Sequence, residues 1–131
     1  MIRVLKTKDF ARWAKKERIQ SSQLYEAAKE IHAGLIDGEL GRGLIKKRIA
    51  RSGQGKRRGH RTLLAFNEGK RAIFIFGFSK KDRENISTRE AAAYQKLAEY
   101  YFGMSDIYLH KLLNENELIE VKHEEGCQEN G

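Results

Sequence analysis

The sequence predicts one α+β domain, and three observations carry that prediction. Apolar residues recur at helical spacing near both ends of the chain, extended apolar runs lie between them, and a length of 131 residues suits a single core. Hydrophobic residues make up 40% and charged residues 34%, which fits a real core under a highly charged surface. Proline is absent, so glycine, Ser/Thr caps and changes of polarity must mark the element ends. The one cysteine, Cys127, cannot form an internal disulfide, so the fold does not depend on an oxidising compartment. The N-terminus has no long apolar segment, and no apolar run approaches the roughly 18 residues of a membrane span, which points to a cytoplasmic protein without a membrane partner.

The elements follow in order. Residues 2–5 open as a short apolar-rich segment, and Thr7 offers a cap to a helix beginning at Lys8, with Asp9 in its first turn. Phe10, Trp13 and Ala14 then give that helix one buried stripe. Ser21 or Ser22 caps a second helix through Leu24, Ala27, Ala28, Ile31 and Leu35, and the pair reads as a hairpin laid on a sheet with Lys15, Lys16 and Lys29 in water. After Gly38, Gly41 and Gly43 the period becomes extended. Along residues 44–51, Leu44, Lys46, Arg48 and Ala50 share one face, and Ile45, Lys47, Ile49 and Arg51 share the other. Residues 52–59 hold three glycines and three cations and read as a mobile basic loop. Residues 60–66 return as a strand, and after a turn at Glu68 and Gly69 the run RAIFIFGF, apolar on both faces, reads as a central strand. A charged loop, SKKDREN, leads to a capping box at Ser87 and Glu90. The helix it starts carries Ala91, Tyr94, Leu97, Ala98, Tyr101 and Phe102 to a stop at Gly103, and Ser105 caps a shorter one through Ile107, Leu109, Leu112 and Leu113. The domain so read spans residues 1–114, the segment 103–114 being an extra C-terminal helix. Residues 115–131, with six acids and one lysine, read as an acidic and partly frayed tail.

Charge is distributed unevenly. The chain carries a net +8, while residues 41–61 contain nine lysines and arginines and no carboxylate. A patch that dense repels itself unless an anion shares it, so a phosphate backbone is the first partner to consider. The plain alternative is a solvated charge run, but Leu44, Ile45, Ile49 and Ala50 thread this one and give it reason to fold. The four histidines, His32, His60, His110 and His123, lack paired zinc spacing, and no metal or cofactor site is read. Gly41-Arg42-Gly43 and Gly53-Gln54-Gly55 are too short for a phosphate-cradling loop and precede no helix. What remains is cationic chemistry on phosphate. Cleaving RNA needs an aligned 2′-hydroxyl, charge stabilisation on the phosphate oxygens and a proton for the leaving oxygen. Arginine forks supply the second, and a lysine crowded by cations is suited to proton exchange. Lys46, Arg48, Arg61 and Lys80 meet these needs if the strands bring them together.

The order strand, helical hairpin, three strands, helix, together with GLIKKRIA, GKRRGHRTLLAF and IFGFSKKDREN, resembles the RelE superfamily of bacterial type II toxins, close to its HigB-like branch. The resemblance covers residues 2–102. It implies a β-α-α-β-β-β-α microfold with a mainly antiparallel sheet, a toxin that cuts messenger RNA in the ribosomal A site, and an antitoxin protein that neutralises it. The family's catalytic cations match Lys46, Arg48, Arg61 and Lys80. Lys47, Arg51, Lys56, Arg57, Arg58, Lys81 and Arg83 are then expected to grip RNA backbone. Many relatives carry a tyrosine or histidine soon after the last basic loop; here that region reads Asn85, Ile86, Ser87, leaving the cations, with Asp82 or Glu84, to move protons. His60 adjoins Arg61 but reads as an exposed strand-end residue, and Trp13, Tyr94, Tyr101 and Phe102 read as core. Two competing readings are a ParE-like toxin that inhibits DNA gyrase without cutting RNA, and a nucleic-acid-binding module without catalysis.

Overall fold

The computed structural model describes residues 2–51, 55–67, 71–80 and 83–122, the side chains of 50, 51 and 55–58 lying outside that set. In chain order come β1 (Arg3–Thr7), α1 (Lys8–Lys16), α2 (Ser21–His32), β2 (Gly38–Gly41), β3 (Leu44–Arg51), β4 (Gly55–Asn67), β5 (Arg71–Ser79), α3 (Thr88–Phe102), α4 (Asp106–Asn114) and β6 (Leu118–Glu120). The strands form one sheet in the order β2-β3-β4-β5-β1-β6. β1 runs parallel to β5, and the remaining pairs are antiparallel. The α+β class and the mainly antiparallel sheet are therefore as expected.

Helices cover both faces of the sheet, and the core divides accordingly. Phe10, Ala14, Leu24, Ala28 and Ile31 of the α1–α2 hairpin pack on Val4, Ile45, Ile49, Leu64 and Phe74. On the opposite face Ala98, Tyr101, Leu109 and Leu112 pack on Leu5, Leu44, Leu63, Ile73 and Leu118. β5 supplies both clusters, which is why its sequence is apolar on both sides.

Three helix starts follow the caps read from sequence. Thr7 Oγ1 accepts from the Phe10 N–H at 3.1 Å, Ser87 Oγ from the Glu90 N–H at 3.1 Å, and Ser105 Oγ from the Tyr108 N–H at 3.2 Å. The fourth differs: α2 is capped by Gln20, whose N–H donates to Gln23 Oε1 at 2.9 Å, rather than by Ser21 or Ser22. Three residues placed in the core are exposed instead: Leu35 at 60% beyond the end of α2, Phe102 at 44% at the last residue of α3, and Ile107 at 86% in the first turn of α4.

The sheet is larger than expected at three places. β2 forms within the glycine-rich stretch and returns through Gly41-Arg42-Gly43, all three at positive φ. At Gly43 a Cβ would lie 2.9 Å from the Phe102 ring, so the turn and the packing both require glycine there. β4 begins at Gly55, where the sequence reading placed a loop, because Arg51 of β3 pairs with Gly55 and extends the ladder. β6 pairs antiparallel with β1, burying Leu118 and leaving Val121 3% exposed beside it. The acidic segment is thus part of the sheet through Glu120, and the expected fraying of the last nine residues, with Cys127 and His123, falls outside the described residues. Among the described residues no helix is long and apolar enough to cross a membrane.

Candidate functional site

Cross-strand register assembles the site. Arg48 of β3 stands opposite Arg61 of β4, and Arg61 stands opposite Phe78 of β5; two rungs away, and so on the same face, Lys46, Leu63 and Phe76 line up in the same manner. Side chains in one rung share a face of the sheet, so Lys46, Arg48 and Arg61 lie on the side that carries α3, beside two phenylalanines. An irregularity in β5 makes this possible. Leu64 pairs with Phe74 but Leu63 with Phe76, so Ile75 is an inserted residue. Beyond it the faces of β5 exchange: Phe76 and Phe78 turn toward the cations, while Gly77 and Ser79 turn toward α1. Trp13 fills the space over Gly77, where a Cβ would lie 2.1 Å from its ring.

Arg61 is the unusual residue. It is 7% exposed, its Nη1 is wholly buried without a hydrogen-bond partner, and it forms no ion pair among the described residues. A buried guanidinium usually carries a paired carboxylate, because desolvating it alone is costly. Its cross-strand neighbour Arg48 adds a second positive charge rather than a negative one. Arg48 itself is more open. Its backbone N–H donates to Asp37 Oδ2 at 2.7 Å, its Nε lies 3.9 Å from Asp37 Oδ1, and its side chain is 44% exposed. Residue 48 also borders a small cleft with Glu26 and Glu30 of α2. Lys46 is half-buried, its stem running along Gly38, and makes no ion pair among the described residues. Lys80 follows the end of β5, exposed and likewise unpaired among the described residues.

Arg83 closes the loop that follows. Its fork donates to Glu90 at 3.0 and 2.5 Å and its Nε to the Asn85 carbonyl at 3.2 Å, while the guanidinium lies 5.8 Å from the Phe78 ring centre. Those bonds and the Ser87 N–H hold the Glu90 carboxyl at about 2, well below its ordinary value. Arg83 therefore ties the loop to the start of α3, a role its place in a basic run concealed.

Two expectations are corrected. Lys47 is 3% exposed on the hairpin side, with Nζ 2.7 Å from Glu30 Oε1 and 2.8 Å from the Leu35 carbonyl, so it braces α2 against the sheet and does not reach an RNA backbone. Alternation already grouped it with Ile45 and Ile49. His60 is 2% exposed, not a surface strand end: its Nε2 lies 3.0 Å from Glu17 Oε1 and its ring meets Trp13 edge-on at 5.3 Å. It faces away from Arg61. Arg51, Lys56, Arg57, Arg58, Lys81 and Asp82 lie outside the described side chains. Sequence reading missed Phe76 and Phe78 and read Tyr94 as core; the three form a continuous aromatic floor beside the cations, Phe76 lying 6.0 Å from Phe78 and stacking on Tyr94 at 4.9 Å and 24°.

Unspent arginine and lysine donors around a desolvated guanidinium can take the oxygens of a phosphodiester, and the rings beside them offer faces to its bases. Among the described residues, no group of three or more His, Cys, Asp or Glu side chains is placed to hold a metal ion. The model of one protein family matches residues 2–121, and its description reads RelE toxin of the RelE/RelB toxin-antitoxin system. The match continues through α4 and β6, beyond residue 102 where the resemblance read from motifs ended. No curated protein matches the chain.

Proposed function

The chain belongs to the RelE toxin family, and on that premise we propose that it arrests translation by cutting messenger RNA in the ribosome, using the cationic face of β3, β4 and β5. The observation that carries this reading is the buried, unpaired guanidinium of Arg61. Folding has already buried most of Arg61, so a phosphate that bonds its accessible nitrogens gains a charge-assisted hydrogen bond at a reduced desolvation cost. Arg48 on the same rung then holds a second phosphate oxygen. In the reaction the 2′-hydroxyl attacks its own phosphorus, the bond to the 5′-oxygen of the next nucleotide breaks, and a 2′,3′-cyclic phosphate and a free 5′-hydroxyl result. Negative charge grows on the non-bridging oxygens facing Arg61 and Arg48. Lys46 and Lys80 exchange the protons, one taking the 2′-hydroxyl proton and the other protonating the leaving oxygen. The family implies an antitoxin partner, and messenger RNA with ribosomal RNA is the substrate environment.

The test is inducible expression of wild type and Arg61→Ala in bacteria, with the 5′ ends of cellular messages mapped soon after induction. New cuts within translated reading frames, lost in the variant, are expected. Growth arrest with intact messages and altered DNA supercoiling would replace this reading with gyrase inhibition.

A further inference from the structure

β1 stops alongside β5 at the pairing of Lys6 with Phe74, whereas β5 runs on to Ser79. Because the chain turns into α1 at that point, the space beside residues 75–77 is left to side chains from α1 and α3. A cavity of about 380 Å³ fills it, lined among others by Asp9, Trp13, Phe76, Tyr94, Tyr101 and Glu117, and this is within the size range of small-ligand sites. Its walls are aromatic. Its polar groups are not spent: Tyr101 is only 9% exposed, yet neither its hydroxyl nor that of Tyr94 has a hydrogen-bond partner among the described residues. Neither hydroxyl oxygen is fully buried, so each can bond a molecule that enters from outside. Burial pushes both tyrosines above their ordinary range, and the Asp9 carboxylate adds to the effect in each, so its field reaches into the cavity. Asp9 and Glu117 hold only surface ion pairs, to Arg12 at 3.4 Å and Lys8 at 3.2 Å, which exchange readily.

The cavity adjoins the cationic face. Phe76 lines it, and Phe78, two residues on and about 6.6 Å along the strand, stands opposite Arg61. A ligand held by its phosphate at Arg61 thus has an aromatic slot within reach of its other end. Rings on opposite sides suit a flat heterocycle; two hydroxyl donors suit its carbonyl or ring-nitrogen acceptors; carboxylates suit an exocyclic amino group.

Resting on the reading of the cationic face as the phosphate site, we propose that this cavity is a base pocket. It takes an amino-bearing base of the RNA (adenine, guanine or cytosine) and disfavours uracil, which offers no amino group to the carboxylates. Tyr94 and Tyr101 are then specificity residues, with Trp13 and Phe76 as the stacking surfaces.

Trp13 is the only tryptophan of the chain, so its fluorescence reports on the cavity directly. The experiment titrates the full-length protein with AMP, GMP, CMP and UMP. Saturable quenching is expected, with at least one amino-bearing nucleotide binding roughly 10-fold tighter than UMP, as a site whose polar groups bond the correct base discriminates. Tyr101→Phe, which removes only the hydroxyl, should weaken that nucleotide about 2- to 10-fold, and Asp9→Asn should narrow its margin over UMP. Arg61→Ala should weaken all four alike. Equal affinity for UMP, no effect of Tyr101→Phe, or no saturable signal at millimolar concentrations overturns the pocket. Selective binding in a protein that makes no cuts in cells retires the nuclease reading and keeps the pocket; cuts in cells with Trp13 unresponsive to every nucleotide retire the pocket alone.

Discussion

The sheet contains two cross-strand arginine pairs, and they are treated in opposite ways. Arg3 of β1 stands beside Arg71 of β5, and each has a carboxylate: Glu120 grips Arg3 at 2.7 and 3.0 Å, and Asp106 accepts from Arg71 at 2.9 Å, although one Arg71 nitrogen stays unpaired. Arg48 stands beside Arg61, and among the described residues the pair has only Asp37, which lies 3.9 Å from Arg48 and does not bond Arg61. The acids at positions 117 and 120 belong to the far edge, so they neutralise cations there and none at β3 and β4. Arg3 and Arg71 each have a counter-ion from the chain, whereas among the described residues Arg61 has none, which on the proposed function leaves that place to an RNA phosphate.

Breaking this contrast at its functional end has the largest expected effect. Removing both arginines, Arg48→Ala with Arg61→Ala, should lower single-turnover cleavage of ribosome-bound message by about 10³-fold or more, the scale of losing positioned charge stabilisers. Giving the functional pair what the other already has comes next. Arg48→Glu places a carboxylate opposite Arg61 and should abolish cleavage while raising the denaturation midpoint, because the buried guanidinium then has a partner.

At the structural end the expected effects are small. Glu120→Gln should cost about 0–1 kcal/mol in urea denaturation, since the pair with Arg3 is more than a third exposed, and should leave cleavage unchanged. Lowering pH sharpens the same point. The carboxyls of Glu90, at about 2, and Glu120 are depressed by Arg83 and Arg3 respectively. Their stabilisation is complete above the ordinary carboxylate value and is lost as pH falls from there toward 2. Glu90→Gln should therefore flatten part of the acid limb of a pH–stability curve.

Much of the fold was legible because local chemistry agreed with it. Thr7, Ser87 with Glu90, and Ser105 announced three helices at the right residues, and alternation in β3 separated Lys46 and Arg48 from Lys47. Gln20 was hidden as a cap by two serines with better cap chemistry. The start of β4, residues 55–59, was hidden in a stretch of glycine and like charge that disfavours a strand, and only the ladder from β3 extends it. β6 is three residues whose strand character comes wholly from β1. The inserted residue in β5 could not be read, since a strand apolar on both faces looks the same in either register, yet it decides that Phe78 rather than Gly77 meets Arg61. The cations of the site were legible as residue types; the burial of Arg61 was not, because nothing in its neighbourhood distinguishes a covered arginine from a solvated one.

The most direct measurement is a paired one on Arg61→Met, which keeps the stem's bulk and removes the charge: chemical denaturation and single-turnover cleavage on the same preparation. An unpaired buried cation kept for its function should yield a variant more stable by about 1–4 kcal/mol and without cleavage. A variant that is less stable, or one that still cuts, would contradict the claim that Arg61 is held uncompensated for a phosphate.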